Sequence, residues 1–205
     1  MLPTTSCLLG NLLFAVSAIA AGHRPLSSYT IVDLQWDLPI TPGDATADTI
    51  KVNGTIQNAI EQMELLYPGW NHTFQNHLQH LPDTTINKPA IREEPEDIDC
   101  NIKTMSARNW AIKKGIEYLR GVSGTPKNGP GPNNCGRVSC SYRSAIYWCN
   151  EDDFEKEVTW EGIADGALEV LNKCTIGTSF ERDVKGRVDY KDKWNVLVRW
   201  DNDKC

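Results

Sequence analysis

Cys135-Gly136-Arg137-Val138-Ser139-Cys140-Ser141-Tyr142-Arg143-Ser144-Ala145-Ile146-Tyr147-Trp148-Cys149 is the stretch on which the fold of this 205-residue chain turns. It holds three of the seven cysteines, two tyrosines and a tryptophan. Such β-branched and aromatic content predicts strand. Two short strands, 137–142 and 145–150, fit the pattern, with a tight turn at Arg143-Ser144. Those turn residues are not the favoured Asn-Gly kind, and one bent strand is the alternative. A hairpin closing at Arg143-Ser144 sets Cys140 opposite Tyr147. Cys140 and Cys149 then do not pair with each other, and both look outside the hairpin.

On the C-terminal side, Glu151-Asp152-Asp153 and Glu155-Lys156-Glu157 form a charged loop. It lacks the spacing and central glycine of a calcium-binding loop. The next segment has the best helical period in the chain. Thr159 is its cap, and Trp160, Ile163, Ala164, Ala167, Val170, Leu171 and Cys174 share one face. Glu161, Asp165, Glu169, Asn172 and Lys173 lie off that face. Cys174 therefore points inward, which predicts a Cys140–Cys174 bridge. That bridge would close a loop of about 35 residues and contribute about 4 kcal/mol through chain entropy. A second hairpin follows: 186–190, a turn at Lys191-Asp192-Lys193, then 194–200. In it Trp194, Val196, Val198 and Trp200 alternate onto one face, and Asn195 and Arg199 onto the other.

On the N-terminal side, a helix is expected over 104–120, with Met105, Ile112, Ile116 and Leu119 as its apolar stripe and Trp110 near the edge. Gly121 and Gly124 end it. Lys113 and Lys114 read as a solvated face.

Charge and cysteine both divide the chain just before Cys100. Residues 1–99 carry four basic and twelve acidic side chains, and residues 100–205 carry seventeen and fifteen. Cys7 stands alone in the first part. It lies in an apolar run, Cys7 to Ala21, too short for a membrane span and closing on Ala18-Ile19-Ala20, a signal-peptide cleavage pattern. Cleavage near Ala20 or Gly22 removes Cys7 and leaves six cysteines: Cys100, Cys135, Cys140, Cys149, Cys174 and Cys205. An even set on a secretory route is a disulfide framework, here with fifteen connectivities. No C-x-x-C pair supports redox or zinc-finger chemistry. No further apolar segment suggests a membrane span.

The expected organisation is therefore a signal peptide (1–20), an acidic, less regular N-terminal region and linker (21–99, a candidate pro-region), and a cysteine-rich α+β domain (100–205). Within 21–99, residues 29–36 read as one strand and 49–54 as a strand and turn. Thr55 caps a helix with Ile56, Ile60, Met63 and, at its end, Tyr67 as the apolar positions, stopped by Pro68-Gly69. Residues 82–99 read as an acidic, proline-broken linker. Two glycosylation sequons, Asn53-Gly54-Thr55 and Asn71-His72-Thr73, fall at turn-like positions. All four histidines lie in this half. His77 and His80 would share a helix face, without a carboxylate or cysteine to complete a metal site.

The order of helix, cysteine-bearing hairpin, helix ending in cysteine and Trp-Asn-Val hairpin resembles small secreted cysteine-rich proteins of filamentous ascomycete fungi. The resemblance rests on Gly129-Pro130-Gly131-Pro132, Cys135 to Tyr142, Ala145 to Asn150, Ile163-Ala164-Asp165-Gly166-Ala167, Trp194-Asn195-Val196 and Asn53-Gly54-Thr55-Ile56-Gln57. More loosely, the second half is similar to the necrosis-inducing-factor domain of fungal effectors and to smut-virus killer toxins. That resemblance implies a two-layer α/β sandwich, an antiparallel disulfide-stabilised sheet with two helices packed on it, and a role against a host or competitor. It brings over no catalytic residue.

Residues 100–205 contain no histidine, which excludes Ser-His-Asp and Cys-His machinery within that domain. The expected function is a secreted, extracellular, monomeric effector-like or toxin-like protein, not an enzyme and without cofactor or metal. Its partner would be an extracellular protein or cell-wall target. One alternative is a small hydrolase using a carboxylate pair from Glu151, Asp152, Asp153 and Glu161. Another is a carbohydrate- or cell-wall-binding module using Trp148, Trp194 or Trp200. An acidic chain whose second half nets only +2 has no nucleic-acid footprint.

Overall fold

The computed structural model describes residues 29–82, 94–178, 182–202 and 205. The expected signal peptide with Cys7, His23 beyond the expected cleavage site, and most of the expected linker lie outside the described residues.

The N-terminal part begins with two strands where one was expected, β1 (Thr30–Val32) and β2 (Gln35–Pro39). A third strand, β3 (Thr49–Asn53), stands where the 49–54 reading placed a strand, and it pairs with β2. Helix α1 (Ile56–Leu66) has Thr55 as its N-cap, with Asn58 completing a capping box. Its buried side chains are Ile56, Ile60 and Met63, as their spacing predicts, together with Ala59, whereas Tyr67 ends the helix as its C-cap and is exposed. Helix α2 (Trp70–Gln79) buries Trp70, Phe74 and Leu78. Residues at the end of the expected linker form strand β4 (Asp97–Asp99), so the linker stops short of Cys100.

In the cysteine-rich part, Ala107–Arg108 form strand β5 and the helix α3 begins only at Asn109, running to Arg120. The expected helical start at Thr104 is corrected for a physical reason. Ala107 and Arg108 pair with a later strand, and Met105 turns out to solvent. Short strand β6 (Lys127–Asn128) precedes the long hairpin of β7 (Asn134–Ser141) and β8 (Ser144–Asn150). Strand β9 (Lys156–Glu157) pairs with β6. Helix α4 (Trp160–Cys174) is capped by the Thr159 hydroxyl. Then come β10 (Thr175–Gly177), β11 (Arg182–Val184), β12 (Gly186–Tyr190) and β13 (Trp194–Trp200).

The main sheet has the order β1-β7-β8-β13-β12-β4. All its pairings are antiparallel except the outermost, where β1 runs parallel to β7. The sheet is thus mixed, not purely antiparallel. Helices α3 and α4 lie together on one face, α3 over β7 and β8, α4 over β12 and β13. That is the expected two-layer arrangement, extended by α1, α2 and the β2–β3 pair.

The apolar core does not stop at Cys100. One continuous cluster joins Leu34, Trp36, Met63 and Phe74 of the acidic half to Ile116, Ile146, Trp160 and Val196 of the other. Trp36 stacks on Trp160, and its indole N–H donates to the Gly54 carbonyl at 2.8 Å. A smaller cluster, Cys135, Cys140, Ala145, Tyr147, Cys149 and Leu197, occupies the opposite face of the sheet.

Candidate functional site

The hairpin of β7 and β8 closes one residue earlier than expected. Its turn residues are Tyr142 and Arg143, with Ser141 opposite Ser144. Cys140 therefore faces Ala145, not Tyr147. A β-bulge at Val138 then slips the register by one, which brings Cys135 opposite Cys149. Beyond the reach of β1, the Cys140 N–H is left without a strand partner. Gln57 of α1 supplies one: its side-chain carbonyl accepts that N–H at 3.0 Å, and its amide donates to the Ser139 hydroxyl at 2.9 Å.

The disulfides follow from this register. They join Cys135 to Cys149, Cys100 to Cys174 and Cys140 to Cys205. The expected Cys140–Cys174 bridge is overturned. Cys174 does point into the helix–sheet layer, but Cys140 lies on the opposite face of the sheet. Cys149 does not look outside its hairpin, because β7 extends back to Asn134 and carries Cys135 with it. All six cysteines are structural links.

Around Cys140 and Cys205 the second face holds a polar network. The Tyr147 hydroxyl donates to the Asp201 carboxylate and accepts from Arg199 at 2.9 Å. Arg137 pairs with Asp201 at 3.2 Å. Burial, then the hydrogen bond to Asp201, pushes the Tyr147 phenol well above its ordinary range. A phenol held neutral this way is neither nucleophile nor base. The network anchors the chain after β13.

The aromatic residues divide sharply. Tyr147, Trp148, Trp160 and Trp194 are buried. Trp148 and Trp194 thus offer no ring face to a sugar, because both rings are packed inside the helix–sheet core, Trp194 stacked on Tyr190. Trp200 is half-buried. Trp110 and Tyr142, by contrast, are 51% and 65% exposed and meet edge to face at 4.6 Å. The Arg143 guanidinium lies 5.9 Å from the Trp200 ring centroid. The Trp200 N–H donates to the Met105 carbonyl, which brings exposed Met105 to the same end of the sheet. Tyr142 and Arg143 both adopt left-handed backbone, φ 50° and 58°. Sequence reasoning missed this tip because it set the turn one residue too late.

Beside the tip lies a groove of about 410 Å³, lined by Gln57, Asn58, Glu61, Arg137, Ser141 and Tyr142 among others. Tyr142 is shared between tip and groove.

A second cavity, about 430 Å³, opens where the two halves meet. Asp44, His77, Ser123, Thr159 and Glu161 line it, and the ion pair of Arg120 with Asp165 lies at its Arg120 wall. Asp165 is buried, contrary to its expected place off the inward face. Its partner Arg120 is buried as well, and a charge enters a core when it is paired. The cavity brings a histidine to the cysteine-rich half, which sequence composition had excluded. Among the described residues, however, the His77 ring makes no hydrogen bond to a hydroxyl or carboxylate. Asp44 accepts the hydroxyl and N–H of Thr46, which hold it below the usual carboxylate range and make it a poor proton donor.

The candidate carboxylates are dispersed. Glu151 accepts from Asn195 at 3.1 Å, Asp152 pairs with Lys193 and Lys156, and Glu161 lines the second cavity. His80 contacts the Asn76 carbonyl and His72 faces Asn76. Among the described residues no three metal-binding side chains converge. The sequon residues Asn53 and Asn71 are both exposed, Asn53 at the end of β3 and Asn71 in the first turn of α2 instead of a loop. No helix among the described residues is long and apolar enough to cross a membrane. Comparison with protein-family models, with curated proteins and with solved structures finds no match for this chain.

Proposed function

We propose that this is a secreted, effector-like or toxin-like monomer that acts by binding a target on a host or competitor cell, without catalysis. The observation that carries this reading is the exposed pair of Trp110, at the start of helix α3, with Tyr142, which stands beside Arg143 on the turn between two disulfide-pinned strands. Trp, Tyr and Arg are the side chains that dominate binding hot spots. Three cross-links make the surface rigid, which lowers the entropy lost on association.

Secretion is supported by the leader sequence, the disulfide set and the exposure of both sequon asparagines. The likeness to secreted fungal effectors and killer toxins points the same way. The hydrolase reading has less support, since two of its carboxylates, Glu151 and Asp152, are tied to Asn195 and to Lys156 and Lys193.

Labelled protein recovered from culture medium tests the proposal on intact cells of a host and of competing fungi. Saturable binding is expected, weakened at least tenfold in a W110A/Y142A variant with unchanged circular dichroism. Equal binding by the variant would remove the reading.

A further inference from the structure

Helix α1 carries its apolar stripe one turn further than the core reaches. Ile56, Ile60 and Met63 are buried, and Leu66 and Tyr67 continue the spacing three and four residues beyond Met63. Yet Leu65, Leu66 and Tyr67 are 83%, 58% and 37% exposed, and Pro68 behind them is exposed too. No other large apolar side chains left in solvent among the described residues are consecutive in the chain. A contiguous apolar patch in water marks a surface that something covers.

A cover is attached to the chain beside the patch. Glu64 clamps the corner between α1 and α2: its carboxylate accepts the Gly69 N–H at 2.9 Å and the Asn71 N–H at 2.7 Å. The Trp70 N–H donates to the Tyr67 carbonyl at 2.9 Å. Asn71, the acceptor of the second sequon, is thereby fixed against the last turn of α1. It lies in the first turn of α2, where the Cα–Cβ bond leans back toward the helix start and so toward the corner. Its Oδ1 accepts from the Gln75 amide at 3.2 Å, one turn further along α2. Nδ2, the atom that carries a glycan, makes no hydrogen bond among the described residues and is left on the side of the corner. Asn53 has a different setting. Its backbone is bracketed by the Gln62 side-chain amide, at 2.7 and 3.4 Å.

We propose that the N-glycan carried by Asn71 folds back on its own protein, its first N-acetylglucosamine covering Leu65, Leu66 and Tyr67. The C–H face and acetyl methyl of that sugar rest on the apolar side chains, and its hydroxyls turn to water. In the attachment step Asn71 Nδ2 displaces the diphosphate from C1 of a lipid-diphosphate-linked oligosaccharide. The N–C bond forms, the C–O bond breaks with its electron pair on the diphosphate, and Nδ2 releases one proton. Transfer takes place on the nascent chain, before α2 forms. The inference shares only the secretory route with the target-binding reading.

The test begins with protein from its native producer. Glycosidase release should convert Asn71 to Asp, read by peptide mass. A yeast secreting the full chain with its own leader then supplies wild type, N71Q, N53Q and N71Q/L65S/L66S, all compared at unchanged circular dichroism. The readout is fluorescence of an apolar dye, anilinonaphthalene sulfonate. N71Q should bind at least threefold more dye than wild type, N53Q the same as wild type, and N71Q/L65S/L66S should return to the wild-type level. Enzymatic treatment of folded wild type gives the same comparison without a substitution. Trimming to one sugar should leave dye binding low, and complete removal should raise it as N71Q does. A bare Asn71 in the native product, dye binding by N71Q equal to wild type, an increase that persists in N71Q/L65S/L66S, or an equal increase in N53Q would each overturn the inference. So would an increase on trimming to one sugar. A native product that binds cells with Asn71 bare would overturn this inference alone, and one that never enters the secretory route would overturn both readings.

Discussion

Trp36 and Trp160 stack face to face, 3.6 Å between ring centroids and 9° from parallel, and both are buried. One belongs to the acidic half and the other opens helix α4 of the cysteine-rich half. Trp36→Ala removes the stack and leaves a cavity at the junction, which should cost about 3–5 kcal/mol. Urea denaturation followed by circular dichroism measures it. For the same reason residues 100–205 expressed alone should not fold cooperatively, since Trp160 and Tyr118 would lose their cover from Trp36 and Phe74. If the leader region is processed, residues 29–82 should stay with the product. Intact mass of the protein from its native producer, reduced and non-reduced and after deglycosylation, checks this together with sequon use.

Non-reducing peptide mapping should return Cys100–Cys174, Cys135–Cys149 and Cys140–Cys205. Their separations of 74, 14 and 65 residues rank their effects. Chain entropy assigns about 4 kcal/mol to each long link and about 3 kcal/mol to the short one. Paired serine variants should follow that order in denaturation midpoint, with the Cys135/Cys149 pair the mildest.

Arg120 at the end of α3 and Asp165 on α4 form an ion pair with side chains 0% and 5% exposed. Burial lowers the Arg120 pKa, and Asp165 and Glu161 oppose that shift. Asp165→Asn leaves the guanidinium buried without its counter-charge and should destabilise the protein by about 3–5 kcal/mol. Replacing both residues together, R120M/D165L, should cost much less. A double-mutant cycle checks the difference.

Two helix glycines mark close approach to the sheet. A Cβ on Gly115 would lie 2.5 Å from the Ser139 hydroxyl oxygen, and one on Gly166 would lie 2.6 Å from Val196 Cγ2. Alanine gains about 1 kcal/mol of helix propensity at such sites, but overpacking costs about 1–3 kcal/mol. Val196 sits mid-strand with no room to retreat, so Gly166→Ala should lower the melting temperature. Thermal unfolding decides the sign.

The pKa of Tyr147 is raised above its ordinary value of 10.0, chiefly by burial. A group whose folded pKa lies above its unfolded one favours the fold fully below the unfolded value. That contribution is lost as pH rises, because the unfolded chain ionises first. Stability should therefore fall steeply above pH 10.0 in wild type and less steeply in Tyr147→Phe. Denaturation midpoints across alkaline pH measure the two slopes.

Periodicity was a reliable guide wherever one face of an element meets a single apolar layer. The inward faces of α1 and α4, the Thr55 and Thr159 caps and the β12–β13 hairpin all stand where their spacing places them. It was unreliable at Met105 and at Asp165. Met105 fits a helical stripe but belongs to the segment leading into a strand. Asp165 reads as surface, and only the approach of Arg120 from another helix makes its burial tolerable.

The sequence by itself determined a secretion-type leader pattern, an even cysteine set, the alternation of helices with hairpins and the acidic bias of the first half. Those properties depend on composition and on neighbours within about a dozen residues. Only the tertiary structure decided which cysteines meet, which aromatic rings are exposed and that both halves share one core. Cysteine pairing hangs on strand register, and a one-residue change sends every side chain to the other face of a sheet. The early turn at Tyr142-Arg143 and the bulge at Val138 make two such changes in a single hairpin.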